Sequence, residues 1–198
     1  MLAVAEENAQ EAGLTNLSFQ EADVHALPFP DEMFDRVTCR FGVMYFADVN
    51  QALREVRRVL KTGGLVALAA WGPLEQNPIS VAALGPFLSR TSIQPPPPGA
   101  PHPFRFASQG TLSQELQRAG FEQVEEQLRT INFSWPGPPE ELWEHFRDIA
   151  VPLRPIIDSL TPDQRQQAIS EVIEGFRRYY DRQSVTAPAV IVLATGVR

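Results

Sequence analysis

The sequence predicts an α/β domain built on a largely parallel sheet. Three observations lead there. The apolar runs Phe34–Phe41 and Leu65–Trp71 suit strands buried on both faces of a sheet. Between them, Ala52, Leu53, Val56, Val59 and Leu60 recur at helical spacing. Strand, helix, strand in that order makes a right-handed crossover unit and hence parallel pairing.

Taken in order, residues 1–12 read as a helix, with Leu2, Ala5, Ala9 and Ala12 on one stripe and Gly13 just past its end. Leu17–Ala22 alternates as a short strand, and Asp23–Glu32 is a loop with two prolines. Asp48 is placed to cap the helix that runs to about Leu60, and Gly63-Gly64 is placed to stop it. After Trp71 the chain reads as irregular. Residues 94–103, QPPPPGAPHP, are excluded from helix and central strand and predict an extended or polyproline segment.

Ser108–Ala119 is predicted helical, with Leu112, Leu116 and Ala119 inward. Gln123–Asn132 is predicted to be a strand. Pro138–Ile149 carries a short helix with Leu142, Trp143 and Phe146 on one side. Thr161-Pro162-Asp163-Gln164 is a capping-box start with proline at the first helical position, for a helix reaching about Tyr180. Ala189–Thr195 is the final apolar strand. There is no internal repeat.

Composition narrows the function. The 198 residues are 43% hydrophobic and 21% charged, within the globular range, and suffice for one buried domain. A net charge of -7 argues against a nucleic-acid partner. The basic clusters Arg54, Arg57, Arg58, Lys61 and Arg177, Arg178, Arg182 read as solvated helix faces. The lone Cys39 excludes an internal disulfide and CxxC metal spacing, and its apolar run predicts a buried thiol. His25, His102 and His145 are too scattered for a metal signature. No apolar run is long enough for a membrane span, so the expectation is a cytoplasmic protein with no membrane partner.

Residues 27–46, LPFPDEMFDRVTCRFGVMYF, carry a more specific signal. The pattern Leu27-Pro28-Phe29, Asp31, Phe34-Asp35, Val37 leading into a strand resembles the middle of class I S-adenosylmethionine (SAM)-dependent methyltransferases, nearest the ubiquinone/menaquinone-biosynthesis type. The resemblance covers most of residues 1–75 and resumes at Leu112–Phe121 and in the last strand. It implies a Rossmann-like sheet of order 3-2-1-4-5-7-6 with the last strand antiparallel. Leu17–Ala22, Phe34–Phe41, Leu65–Trp71, Gln123–Asn132 and Ala189–Thr195 then correspond to strands three to seven.

The resemblance also implies a site. Asp23 matches the acidic residue that accepts from the adenine amino group, and Val24 the next position, whose backbone faces the ring. An ionised carboxylate suits an exocyclic amine. Arg40, Phe41 and Gly42 match the turn beside the methionine part of SAM. Arginine is able to meet a carboxylate bidentately, and Phe41 to cover the sulfonium. Glycine permits close backbone approach. The alternative is that Arg40 pairs with Asp35 or Asp48, that Phe41 is core, and that Asp23 only ends a strand. No catalytic residue is assigned and no metal site is expected, because in-line methyl transfer is served largely by alignment.

The GxGxG turn and the ribose-holding acidic residue of the family are not found. This predicts an N-terminally truncated sheet with five recognisable strands, weak SAM binding, an exposed Phe34–Phe41 edge and a homodimer. Residues 1–198 are expected to form a single methyltransferase-like domain. A Pro-rich loop, 73–107, and a helical insertion, 134–185, are expected to cap a small-molecule site. The aromatics Trp135, Trp143, Phe146, Phe176, Tyr179 and Tyr180 belong either to that pocket or to the insertion's own core. Two functions follow: SAM-dependent methyl transfer to a small molecule, or a catalytically incomplete binding or dimerisation module. A nicotinamide-dependent dehydrogenase is disfavoured, since it also needs a Gly-rich turn and no Tyr-x-x-x-Lys pair is present.

Overall fold

A computed structural model describes residues 2–92, 96–97, 99–150 and 154–198. It contains helix α1 (Leu2–Glu11), strand β1 (Phe34–Arg40), helix α2 (Val49–Val59) and strand β2 (Leu60–Trp71). Helices α3 (Pro78–Leu88) and α4 (Thr111–Arg118) and strand β3 (Glu122–Trp135) follow. Helices α5 (Pro139–Ile149), α6 (Arg154–Ser159) and α7 (Pro162–Arg177) lead to strand β4 (Val185–Val197).

The sheet runs β1-β2-β4-β3. β1 and β2 are parallel, with Val37 opposite Val66 and Arg40 opposite Ala69. β4 is antiparallel to both its neighbours. This is the 4-5-7-6 half of the order implied by the resemblance, including the reversed last strand. Asp48 caps α2 by accepting the Gln51 N–H at 2.9 Å. The helix stops before the glycines, because Leu60 already turns extended and opens β2. Gly63, at φ 75°, lies where the β1–β2 register slips.

Three expectations need correction. Leu17–Ala22 is exposed coil, so four strands form among the described residues and not five. A strand takes its hydrogen bonds from a neighbour, and nothing pairs with this segment beyond an isolated Asp23–Ala26 bridge. β1 is an edge strand of the described sheet and half exposed along its length, where burial on both faces was predicted. Cys39 is accordingly only partly buried. Finally, residues 73–107 are not all loop: Asn77 and Pro78 open α3, a helix whose apolar residues lack a clear stripe. Within the proline run, positions 94, 95 and 98 lie outside the described residues, as do 151–153 of the insertion.

Two cores result. One fills the space between the sheet and α2 and α4, on Met44, Leu53, Leu60, Leu68, Leu112 and Leu116. The other joins α3, α5 and α7 to the far end of β3 and β4, on Phe87, Leu142, Trp143, Val172 and Phe176. The insertion's aromatics pack into this second core, with Phe87 stacked on Trp143. Gly175 lets α7 approach α3 closely: a Cβ there would lie 2.8 Å from that of Ala82. Buried Asn77 fastens the start of α3 to β4. Its amide donates to Pro73 and Val190 carbonyls and accepts the Val190 N–H.

Candidate functional site

The carboxyl ends of β1 and β2 lie side by side, the usual place for ligands in open α/β sheets. Phe41 leaves β1 with φ 55°, a left-handed conformation that costs a non-glycine residue about 1 kcal/mol. Two contacts hold it. Its N–H donates to the Ala69 carbonyl at 2.9 Å, and its ring stacks on Trp71 at 4.5 Å. Gly42 follows, where a Cβ would meet the Cys39 thiol at 2.9 Å. The need for glycine is therefore met within the chain, by Cys39. Burial pushes the Cys39 thiol upward, so it stays protonated at neutral pH.

A 3-10 turn, Val43–Tyr45, then buries Val43 and Met44 completely and leaves Tyr45 half exposed. Arg40 is exposed and makes no ion pair among the described residues. Asp35 is bound by Lys61 at 2.8 Å, and Asp48 caps α2, so neither serves Arg40.

Asp23 and Val24 begin the loop that packs on this end of the sheet. Asp23 Oδ1 accepts from the His25 N–H at 2.9 Å and from His25 Nδ1 at 2.7 Å. His25 Nε2 in turn accepts the Asp48 N–H at 3.1 Å. That bond requires a lone pair on Nε2, so the proton sits on Nδ1. The His25 backbone N–H above all, then its ring, holds the Asp23 carboxyl below the usual range. Asp23 remains exposed, and among the described residues its second oxygen accepts no hydrogen bond, while Val24 packs partly against the sheet core.

Arg58, read from sequence as part of a solvated face, fixes the rest of the loop. Its guanidinium donates to the Leu27 and Phe29 carbonyls and to the Asp31 and Glu55 carboxylates, all within 2.9 Å. Glu55 also accepts the Leu27 N–H. The loop is thus laced to α2, and Asp23 is carried at a defined place.

The loop after α3 adds residues that the sequence did not single out as a group. Arg105 donates to the Phe46 carbonyl at 2.7 Å, and its guanidinium lies 5.5 Å from the Phe106 ring. Phe46 also meets His25 edge-on, at 6.4 Å between centroids. No period or motif marks these positions, because they belong to a loop placed by the fold. Two shallow depressions, of about 250 and 240 Å³, lie away from this cluster, one at the opposite end of β2 and one beside α1. No group of metal-binding side chains occurs among the described residues.

Residues 1–68 match the family described as a methyltransferase domain. Over 64 residues the chain is 50% identical to an uncharacterised methyltransferase, YcgJ, of Bacillus subtilis, covering 32% of this chain and 25% of that protein. A demethylmenaquinone methyltransferase of Thermus thermophilus is 48% identical over 73 residues, 37% of this chain and 33% of that protein. A ubiquinone/menaquinone biosynthesis C-methyltransferase of Allorhizobium ampelinum is 32% identical over 139 residues, 63% and 52% of the two chains. The match thus spans well under two thirds of these relatives. Among solved structures, Bacillus subtilis YcgJ superposes with a TM-score of 0.57 at 24% identity, over all of this chain and 78% of that one. A putative methyltransferase of Bacillus halodurans gives 0.56 at 19%, over 99% and 78%. Residues 1–68 therefore carry a methyltransferase-domain sequence, and the chain as a whole has a Rossmann-like fold shared with methyltransferase structures.

Proposed function

We propose that this chain takes part in SAM-dependent methyl transfer to a small molecule. The observation that carries the reading is that two segments lie at the carboxyl ends of β1 and β2: the Asp23–His25 loop, tied to Asp48, and the Arg40–Gly42 turn, stacked on Trp71 through Phe41. The residues fit the cofactor's chemistry. Asp23 is an ionised acceptor with one oxygen unengaged, suited to an adenine amino group, and Val24 lies next to it. The unpaired guanidinium of Arg40 suits the amino-acid carboxylate. The Phe41–Trp71 stack suits a sulfonium, and Gly42 keeps the turn tight beneath it. When bound, SAM supplies a methyl group on a positively charged sulfur, open to in-line displacement. The chain's part is to align the two reactants, and no residue is assigned as a general base.

Residues 73–107 and 134–185 serve as the acceptor's cap within a single domain, 1–198. The packing of α3 against α5 and α7 in the second core supports this. A single, partly buried free thiol suits a reducing, cytoplasmic setting. Among the described residues, no helix is long and apolar enough to cross a membrane.

The half-exposed outer edge of β1 supports a homodimer, because an unpaired edge is a template for another strand. It also favours the second reading, a binding or dimerisation module. Light scattering at rising concentration tests the assembly: a mass of twice 22.1 kDa is expected, and a constant monomer mass would count against it. Calorimetric titration with S-adenosylhomocysteine separates the two functions. Methyl transfer requires binding that Asp23→Ala weakens more than Asp31→Ala does. Absence of heat at millimolar ligand would leave only the module.

A further inference from the structure

Resting on the reading that the carboxyl ends of β1 and β2 form a methyl-transfer site, we propose that Arg105 and His102 recognise an oxyanion, a carboxylate or phosphate, on the methyl acceptor. The segment after α3 returns to the sheet as a tight turn, with the Arg105 N–H donating to the His102 carbonyl at 3.1 Å. Both side chains are half-buried there. Arg105 spends one of its five donors on the Phe46 carbonyl and forms no ion pair among the described residues. Phe46 also contacts His25, so one residue links Arg105 to the partner of the proposed adenine carboxylate.

The surrounding charges leave the guanidinium underused. Glu115 and Asp48 are carboxylates whose charge reaches Arg105, and each is engaged elsewhere. Glu115 holds Arg118 at 2.8 Å, and Asp48 caps α2 at 2.9 Å. His102 Nδ1 accepts the Phe104 N–H at 3.2 Å, which puts the ring proton on Nε2 and makes that nitrogen a donor. Burial first, then the Arg105 charge, lowers the His102 pKa and keeps the ring neutral. A half-desolvated cation and a neutral donor within one tight turn suit an oxyanion. Arginine pairs such groups bidentately and shape-selectively.

The test titrates the chain with 4-hydroxybenzoate, phenyl phosphate and the neutral 4-hydroxybenzamide, with S-adenosylhomocysteine in parallel. One or both anions should bind at least about tenfold more tightly than the amide, and Arg105→Met should remove that preference. Which anion gains more distinguishes carboxylate from phosphate. S-Adenosylhomocysteine affinity should not change in Arg105→Met. His102→Ala should reduce the preference less than Arg105→Met does. Equal binding of anions and amide by the unaltered chain would overturn the proposal without any variant. So would a preference that survives Arg105→Met. Loss of S-adenosylhomocysteine binding in Arg105→Met, with anion preference intact, would assign Arg105 to the cofactor instead. Anion preference without S-adenosylhomocysteine binding would uphold the oxyanion site and refute the methyl-transfer reading.

Discussion

His25 bridges Asp23 and Asp48: its Nδ1–H donates to the Asp23 carboxylate at 2.7 Å while its Nε2 accepts the Asp48 N–H at 3.1 Å. One neutral ring thus couples the proposed adenine carboxylate to the N-terminus of α2. His25→Ala removes both bonds and leaves the Asp48 N–H to water. The expected loss is about 1 kcal/mol, read as a lower midpoint in urea. His25→Asn should recover part of it, because a carboxamide also offers a donor and an acceptor.

Asn77 makes a sharper case. It is 2% exposed and satisfies both the N–H and the carbonyl of Val190. Asn77→Ala leaves the Val190 N–H without this partner, while the Gly72 N–H still reaches the Val190 carbonyl, at a cost of about 1–3 kcal/mol. Asn77→Asp should be worse, since it buries a charge and loses the donor. Equal midpoints for the wild type and Asn77→Ala would contradict the role assigned to this residue.

Gly175 separates the two cores experimentally. Its absent Cβ would sit 2.8 Å from the Ala82 Cβ, so Gly175→Ala forces α3 and α7 apart at a cost of about 1–3 kcal/mol. Amide exchange should quicken in α3, α5 and α7 while β1 and β2 keep their protection. Uniform quickening throughout would show that the two cores unfold as one.

Acid should destabilise the chain. Asp23, Asp35, Glu55, Glu171 and Asp181 all lie below their ordinary values. The largest causes are a backbone N–H for Asp23 and Asp181, Lys61 for Asp35, and the Arg58 and Arg90 guanidinium groups for Glu55 and Glu171. A depressed folded-state pKa contributes stability above the unfolded value and loses it as pH falls through the folded one. The melting temperature should hold from neutral pH to about 5 and drop below about 4. A maximum in stability below about pH 4 would contradict these assignments.

Much of the fold was legible in the sequence because local signals and fold agree there. The Asp48 cap, the α2 stripe, the Thr161 capping box and the last strand all appear where their residues predict. The failures have physical causes. Leu17–Ala22 has strand alternation, but a strand exists only with a neighbour. α3 escaped notice because it is apolar on all sides and carries Pro86, so it shows no helical period. At the site, Asp23, Val24 and Arg40–Gly42 are proposed on family resemblance, whereas Arg105 and His102 depend on where a loop lands. The reason for Gly42 was not legible either, because its neighbour Cys39 is reached through the fold of the turn.

The most direct measurement is ¹⁵N chemical-shift mapping of the labelled chain titrated with S-adenosylhomocysteine. The shifts should concentrate on residues 23–25 and 40–46, with Trp71 indole moving as well, and should leave α1 and β3 unperturbed. Shifts confined to the depression at Asp35, Lys61 and Gly63, or no saturable shift at millimolar ligand, would contradict a cofactor site at the carboxyl ends of β1 and β2.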